Sequence, residues 1–320
     1  MFTMKNFIFG YGSLICPQSR AITAPSLSNS TAEPVIVNHI ERTWSARINR
    51  RRRHSGLQKM APSSVRGWTP VGVRFRRGAV CNGVLICIDE EELFRFDERE
   101  VGYNRQRIDV ADIHRHVDSD ILINESMSLW PTESTDQENC DDMTPSRARD
   151  NLDPGGVKCS ECRLVFERAS VKRRKITTVS GTIALSEECE EIAVWVYVQN
   201  ENLPADRAYP ISQSYVDIIM RGCLSISRDF ARRFLETTHG WRHDEWLDQN
   251  DGNNTNNDGE DDESNDDRVS TLNRYIWVND RHAPIYCRAD FEYSLMNGKE
   301  IDELIQEHHP RALKLRVLAM

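Results

Sequence analysis

The sequence predicts an α+β fold, and three observations carry that expectation. Apolar runs rich in β-branched and aromatic residues at 6–9, 80–88 and 191–198 read as buried strands. Residues 216–238 space their apolar members three and four apart, as a helix does on its buried face. The polar excess is concentrated in stretches at about 114–180 and 248–270. One compact core carrying polar insertions fits that pattern better than a uniformly polar chain.

Taken in order, the first strand is Asn6-Phe7-Ile8-Phe9. Its surroundings imitate a secretory leader, but two glycines and a serine cut the apolar core, so it reads as the first core strand. Residues 17–38 are rich in Ser, Thr, Ala and Pro and read as loop with a helical turn. Strand character resumes over 35–47 around Ile40, Trp44 and Ala46. Residues 71–77 and 80–89 read as two strands joined at Gly78-Ala79, the second buried on both faces. Asp89-Glu90-Glu91-Glu92 opens a helix, where carboxylates meet the positive end of the dipole, and the helix ends near Gly102.

Residues 101–113 read as a further strand. Polar residues 133–153 form an expected flexible insertion, with 121–123 and 164–166 as short strands beside it. Residues 209–215 are an expected loop before the helical spacing that starts at Val216. That spacing breaks near Gly222 or Ser225-Ile226-Ser227, where Ser227 can cap a second helix. Residues 249–267 contain no apolar residue and are expected to be disordered. Order returns at 275–281 and 284–288, and 301–308 read as a short amphipathic helix.

A net charge of −9 argues against general affinity for nucleic acid or anionic membranes. No stretch approaches the roughly 20 apolar residues of a membrane span, so a soluble protein is expected. The run Arg47-Ile48-Asn49-Arg50-Arg51-Arg52-Arg53-His54 admits a nucleic-acid or localisation patch. In an acidic chain without interleaved aromatics it reads as an exposed loop, with one or two arginines at the edge of a site as a further option. Nine scattered cysteines suit a reducing compartment, and the cytoplasm is the expected location. Cys159 and Cys162 form a Cys-x-x-Cys without the second ligand pair of a structural zinc site. They read as incidental thiols; neither metal nor cofactor is expected. No feature of the sequence sets an oligomeric state.

Chemistry enters where the first strand runs into Gly10-Tyr11-Gly12-Ser13-Leu14. Glycines let the backbone pack closely against a ligand, and successive N–H groups in such a loop make a concavity suited to a carboxylate or phosphate. A second motif follows at Asp97-Glu98-Arg99-Glu100-Val101-Gly102-Tyr103. The two motifs, in this order, resemble those of the γ-glutamylcyclotransferase superfamily, and the second is similar to its ChaC-like, glutathione-degrading branch. Val101 stands where that branch usually has the first of two glycines.

The resemblance implies a small mixed β-barrel with flanking helices and a reaction that releases 5-oxoproline from glutathione or another γ-glutamyl peptide or amine. It implies that Tyr11, Gly12, Ser13 and Leu14 hold the γ-glutamyl group and that Glu100 is the general acid/base. Tyr103 is expected to line the pocket, with Arg105 as a further candidate. A helix-end Glu100 merely paired with Arg99 or Arg105 is the structural alternative. A non-catalytic γ-glutamyl-binding or regulatory protein is the functional one. The expected organisation is one domain over 1–247, an acidic loop over 248–270, and a C-terminal extension over 271–320 packed on the same domain.

Overall fold

The computed structural model describes residues 4–28, 32–49, 65–118, 162, 165–166, 191–242, 276–282, 284–286 and 297–318. Its centre is a mixed sheet. Strand β1 (Met4–Gly10) lies between β5 (Val71–Ile88), antiparallel, and β8 (Glu191–Gln199), parallel. Strand β2 (Glu33–Trp44) covers the other side of β5, and β6 (Tyr103–Ile108) pairs with β8. The short strands β7 (Ile113–Arg115) and β10 (Thr238–His239) both join β2. Phe7, Ile8 and Phe9 on β1 and Val84, Leu85 and Ile86 on β5 are buried. Strands with cover on both faces leave no room for polar alternation, and the apolar runs in the sequence follow from that.

The two strands expected at 71–77 and 80–89 are one strand, β5. Asn38 of β2 faces Val80 and Ile40 faces Phe75, so four residues of β5 bulge opposite His39 alone. His39 and Gly78 both take positive φ there, 64° and 83°, and the Gly78 N–H donates to His39 Nδ1. Gly78 marks a bend within the strand rather than its end. The bend is fastened by buried Glu41, which takes both Arg74 and Arg76.

No backbone ladder among the described residues joins β6 to β10, the two ends of the sheet. Side chains reach across instead. Gln199 at the end of β8 accepts from the Val73 N–H of β5 (2.7 Å) and donates to Ser45 Oγ (3.1 Å). Gly72 leaves the room, since a Cβ there would lie 2.4 Å from Gln199 Cδ.

Helix α1 (Pro17–Thr23) supplies the helical turn expected within 17–38. Helix α2 (Glu90–Arg99) starts as expected, with a full capping box between Asp89 and Glu92. The single strand expected over 101–113 is β6 followed by a 3-10 turn at Val110–Asp112 and then β7. Helix α3 (Gln213–Leu224) begins before the expected Val216, straight after β9 (Ile211–Ser212). Ser227 caps α4 (Arg228–Glu236) by accepting from the Phe230 N–H, as its position predicts. Cys162 is buried, and Val165 and Phe166 are helical, not a strand. Residues 121–123, 133–153, 159 and 248–270 lie outside the described residues.

The C-terminal part contributes β11 (Trp277–Asn279), α5 (Gly298–His308), α6 (Pro310–Lys314) and β12 (Val317–Leu318). Strand β11 pairs with β9 and β12. Arg281 sits between buried Asp217 of α3 (2.8 Å) and Asp302 of α5 (2.8 Å), and Arg316 also reaches Asp302 (2.8 Å). Burial opposes ionisation of Asp302, but its hydrogen bonds from Arg316 and Arg281 outweigh that and hold its pKa below the ordinary value. The remaining short pair is β3 (Ile48–Asn49) with β4 (Gly67–Trp68). Among the described residues no helix is long and apolar enough to cross a membrane.

Arg42 of β2 joins these layers. It is fully buried and donates to Thr238 Oγ1 (2.7 Å), Tyr11 O (3.2 Å), Asn82 O (2.7 Å), Asn82 Oδ1 (2.8 Å), Phe234 O (3.0 Å) and Thr237 Oγ1 (2.9 Å). Its guanidinium lies 3.8 Å from the centre of the Phe234 ring. Replacing five N–H donors by the three of lysine in Arg42→Lys strands about two buried acceptors. At ~1–3 kcal/mol for each stranded acceptor, the variant should lose about 3 kcal/mol in urea unfolding. A second expectation concerns acid. Because the native pKa of Asp302 is depressed, its contribution is present above its unfolded pKa and lost as pH falls through the native one. Asp302→Asn should flatten the acid limb of stability against pH.

Candidate active site

The first motif turns sharply out of the sheet. After Gly10 the chain enters a 3-10 turn at Ser13–Ile15, closed by the Ile15 N–H on Gly12 O (2.9 Å). The first N–H groups of such a turn have no partner within it, and that of Ser13 meets the Tyr215 hydroxyl instead. Gly12 is needed for space: a Cβ would lie 2.9 Å from both Tyr215 Oη and Val71 Cγ2.

The second motif ends α2. Glu100 is the C-cap, its N–H on Phe96 O and its carbonyl accepting from the Tyr103 N–H (3.0 Å each). Gly102 at φ 98° lets the chain reverse into β6 within two residues. The helix end thus turns the Glu100 side chain away from the packed face and towards the first motif.

The two motifs meet in a hollow lined by Phe9, Tyr11, Gly12, Ser13, Leu14, Val71, Glu100, Tyr103, Tyr197 and Tyr215. Its cavity volume is about 30 Å³. All six residues expected at the site, Tyr11, Gly12, Ser13, Leu14, Glu100 and Tyr103, border this one space. Arg105 does not. It pairs with Asp97 (2.8 Å) and lies over the Trp195 ring. Arg47 does not either, since it pairs with Asp206 (2.6 Å).

Arg99 ties the motifs together. Its Nη1 donates to Ser19 O (3.0 Å) and Thr23 Oγ1 (2.7 Å) on α1, and its Nη2 to Ser13 Oγ (3.0 Å) and Ser19 Oγ (3.2 Å). Its Nε lies 2.9 Å from Glu100 Oε1 without the alignment of a hydrogen bond. The contact is a charge pair, and the carboxylate remains 19% exposed at the hollow. The alternative pairing of Glu100 with Arg99 is therefore present, and it coexists with access to the cavity.

Four tyrosines surround the carboxylate. Burial, reinforced by the charges around them, Glu100 among these, raises the pKa of Tyr11, Tyr103, Tyr197 and Tyr215 above the ordinary value. At neutral pH they are neutral phenols. Tyr11 donates to Tyr197 O (2.6 Å), and Tyr197 donates to Asp97 Oδ1 (2.8 Å). A single carboxylate, backed by an arginine and ringed by neutral phenols, suits one proton transfer in a poorly solvated space.

The chain was compared with known proteins. No family model matches it, and no curated protein does. Solved structures do. One described as a gamma-glutamyl cyclotransferase is 11% identical, with 72% of this chain and 86% of that one covered, at a TM-score of 0.35. An uncharacterized protein from Homo sapiens is 12% identical over the same shares, also at 0.35. A yeast gamma-glutamyl cyclotransferase specific to glutathione is 10% identical, with 73% and 97% covered, at 0.28. Likenesses of this size leave the family of the chain open.

Sequence reasoning did not place Phe9, Val71, Tyr197 and Tyr215 at the hollow. Tyr197 was a strand residue and Tyr215 a loop residue in the linear reading; a polar-tipped aromatic inside an apolar run was the available signal. Among the described residues, a separate donor group of His116, Asp118 and Asp229 could hold a metal ion, and none of the three lines the hollow. His116 Nε2 lies 2.9 Å from Asp118 Oδ1, which also takes Ser227 Oγ (2.6 Å), so the group serves the start of α4. Gly12→Ala should push Tyr215 and Val71 apart at about 1–3 kcal/mol. A crystal structure of the variant should show the Tyr215 hydroxyl displaced from the loop.

Proposed function

We propose that this chain is a γ-glutamylcyclotransferase acting on glutathione or another γ-glutamyl peptide or amine. The observation that carries the reading is the meeting of Glu100 with the Tyr11–Leu14 loop in one small hollow. The motif resemblance supports it further.

In this reaction the free α-amine of the γ-glutamyl group attacks its own γ-carbonyl carbon. A new C–N bond closes the five-membered ring, and the bond to the departing nitrogen breaks. The attacking nitrogen gives up a proton, and the departing nitrogen takes one. Attack is intramolecular, so folding the substrate into a reactive pose supplies much of the rate. The protein's task is then to bind, fold and move one proton.

The Ser13 hydroxyl, with the Leu14 N–H of the 3-10 turn beside it, receives the α-carboxylate. Glu100 takes the proton from the attacking nitrogen and returns it to the leaving one. Arg99 holds the carboxylate at the hollow, and a neutral phenol of the ring polarises the γ-carbonyl. Neither step calls for a metal or cofactor. Buried free thiols among the described residues, Cys16, Cys81, Cys162 and Cys223, fit a reducing compartment and the cytoplasm. In the same reading the bent sheet is of the small-barrel type, bridged by Gln199, with residues 1–247 as its domain and 271–320 packed against it.

Glu100→Gln keeps the shape and removes the proton acceptor. It should lower 5-oxoproline release from glutathione or the preferred γ-glutamyl compound by about 10²–10⁴-fold, with little change in thermal stability. Release by the wild type that survives the substitution assigns the proton transfer elsewhere. No release from any γ-glutamyl compound by the folded wild type leaves the binding-protein alternative.

A further inference from the structure

The Ser13 hydroxyl is held from two sides. Arg99 Nη2 donates to Ser13 Oγ at 3.0 Å from α2, and Tyr286 Oη donates to it at 3.3 Å from the C-terminal segment. A serine hydroxyl has two acceptor lone pairs and one proton. Both lone pairs are used, and Ser13 Oγ donates no hydrogen bond among the described residues. Its proton is not used by either partner, and Ser13 lines the hollow. A positive guanidinium on the oxygen also makes that proton a better donor, because bonds in such chains polarise one another.

Tyr286 is fixed in this role by the segment that carries it. Asp280 accepts from the Ser212 and Ser214 hydroxyls (2.8 and 2.7 Å), from the Ser214 N–H (2.8 Å) and from the Ile285 N–H (2.6 Å). The Tyr286 ring meets Tyr215 edge-on at 4.8 Å and Trp68 at 6.3 Å. Tyr215 in turn accepts from the Ser13 N–H, so ring and hydroxyl of Tyr286 bear on the same loop residue. Arg281, paired with Asp217 and Asp302, fastens the segment to α3 and α5.

We infer that Tyr286 is a positioning residue that commits the Ser13 hydroxyl to donating into the hollow, and that the site thereby selects ligands presenting a carboxylate rather than a neutral amide to that loop. The inference rests on the cyclotransferase reading for the identity of the ligand. It assigns to the C-terminal third a part in a site whose two sequence motifs lie within the first 103 residues.

The test is calorimetric titration of the full chain with 5-oxoproline and with its carboxamide, beside a 5-oxoproline release assay. The wild type should prefer the acid. Tyr286→Phe keeps the ring and loses the hydroxyl; it should weaken the acid about tenfold while leaving the amide within about twofold, since the lost contact supports a charge-assisted hydrogen bond. Ser13→Ala should remove the preference, and adding Tyr286→Phe to it should change nothing further. Equal weakening of acid and amide, or no change in either, overturns the inference, as does a wild type with no preference for the acid. A wild type that prefers the acid yet releases no 5-oxoproline refutes the cyclotransfer reading and leaves the role of Tyr286 standing.

Discussion

Arg42 holds a positive charge out of contact with water, and among the described residues none of its hydrogen-bond partners is a carboxylate. Burial lowers its pKa, as expected for a cation moved into a medium that solvates it poorly. What replaces water is a shell of neutral oxygens drawn from the β1 loop, β5, the end of α4 and β10. Two of them, Phe234 O and Thr237 Oγ1, sit at the end of α4, where the helix dipole favours a cation. Such a shell is complete only when all four elements are in place. The charge therefore penalises any arrangement that withdraws an element, and the Tyr11 carbonyl ties the first-motif loop to that condition.

The site inherits its rigidity from this arrangement. Tyr11 is pinned through its carbonyl by Arg42 and through its hydroxyl by Tyr197 O. Gln199 brings the end of β8 against the start of β5, and Val71 and Tyr197 both line the hollow. Arg99 then links the far end of α2 to α1 and Ser13, so that Glu100 faces a loop whose own position is already determined. Preorganisation of this kind spares a catalyst the reorganisation that water would undergo as charge develops. The charged groups at the hollow, Glu100 and its partner Arg99, come from one helix end. The neutral groups that confine it come from strands and helices far apart in sequence.

Linear reading succeeded where the signal was local. The apolar run of β8, the acidic start of α2 and the Ser227 cap depend on neighbours within a few residues. It failed where two conformations differ only in what lies opposite. Gly78-Ala79 reads as a turn between strands, yet β2 lies along both halves and makes one bent strand of them. Residues 110–112 read as strand by their apolar spacing, but a 3-10 turn with Asp109 bonded to the Ala111 N–H interrupts it. The early start of α3 follows from Asp280, a residue 66 positions away, taking the Ser214 N–H at the helix entrance.

The sequence by itself determined the α+β character and the core strands, and its two motifs named six residues that border one hollow, because periodicity and short motifs record which face is buried and where the backbone must turn. Tertiary structure alone decided that Arg99 would clamp both motifs, that Tyr197, Tyr215 and Val71 would wall the hollow, and that Tyr286 would reach Ser13. Each of these is a contact between chain segments brought together by packing. A hydroxyl's role as donor or acceptor depends on which partners surround it, and no local pattern carries that information.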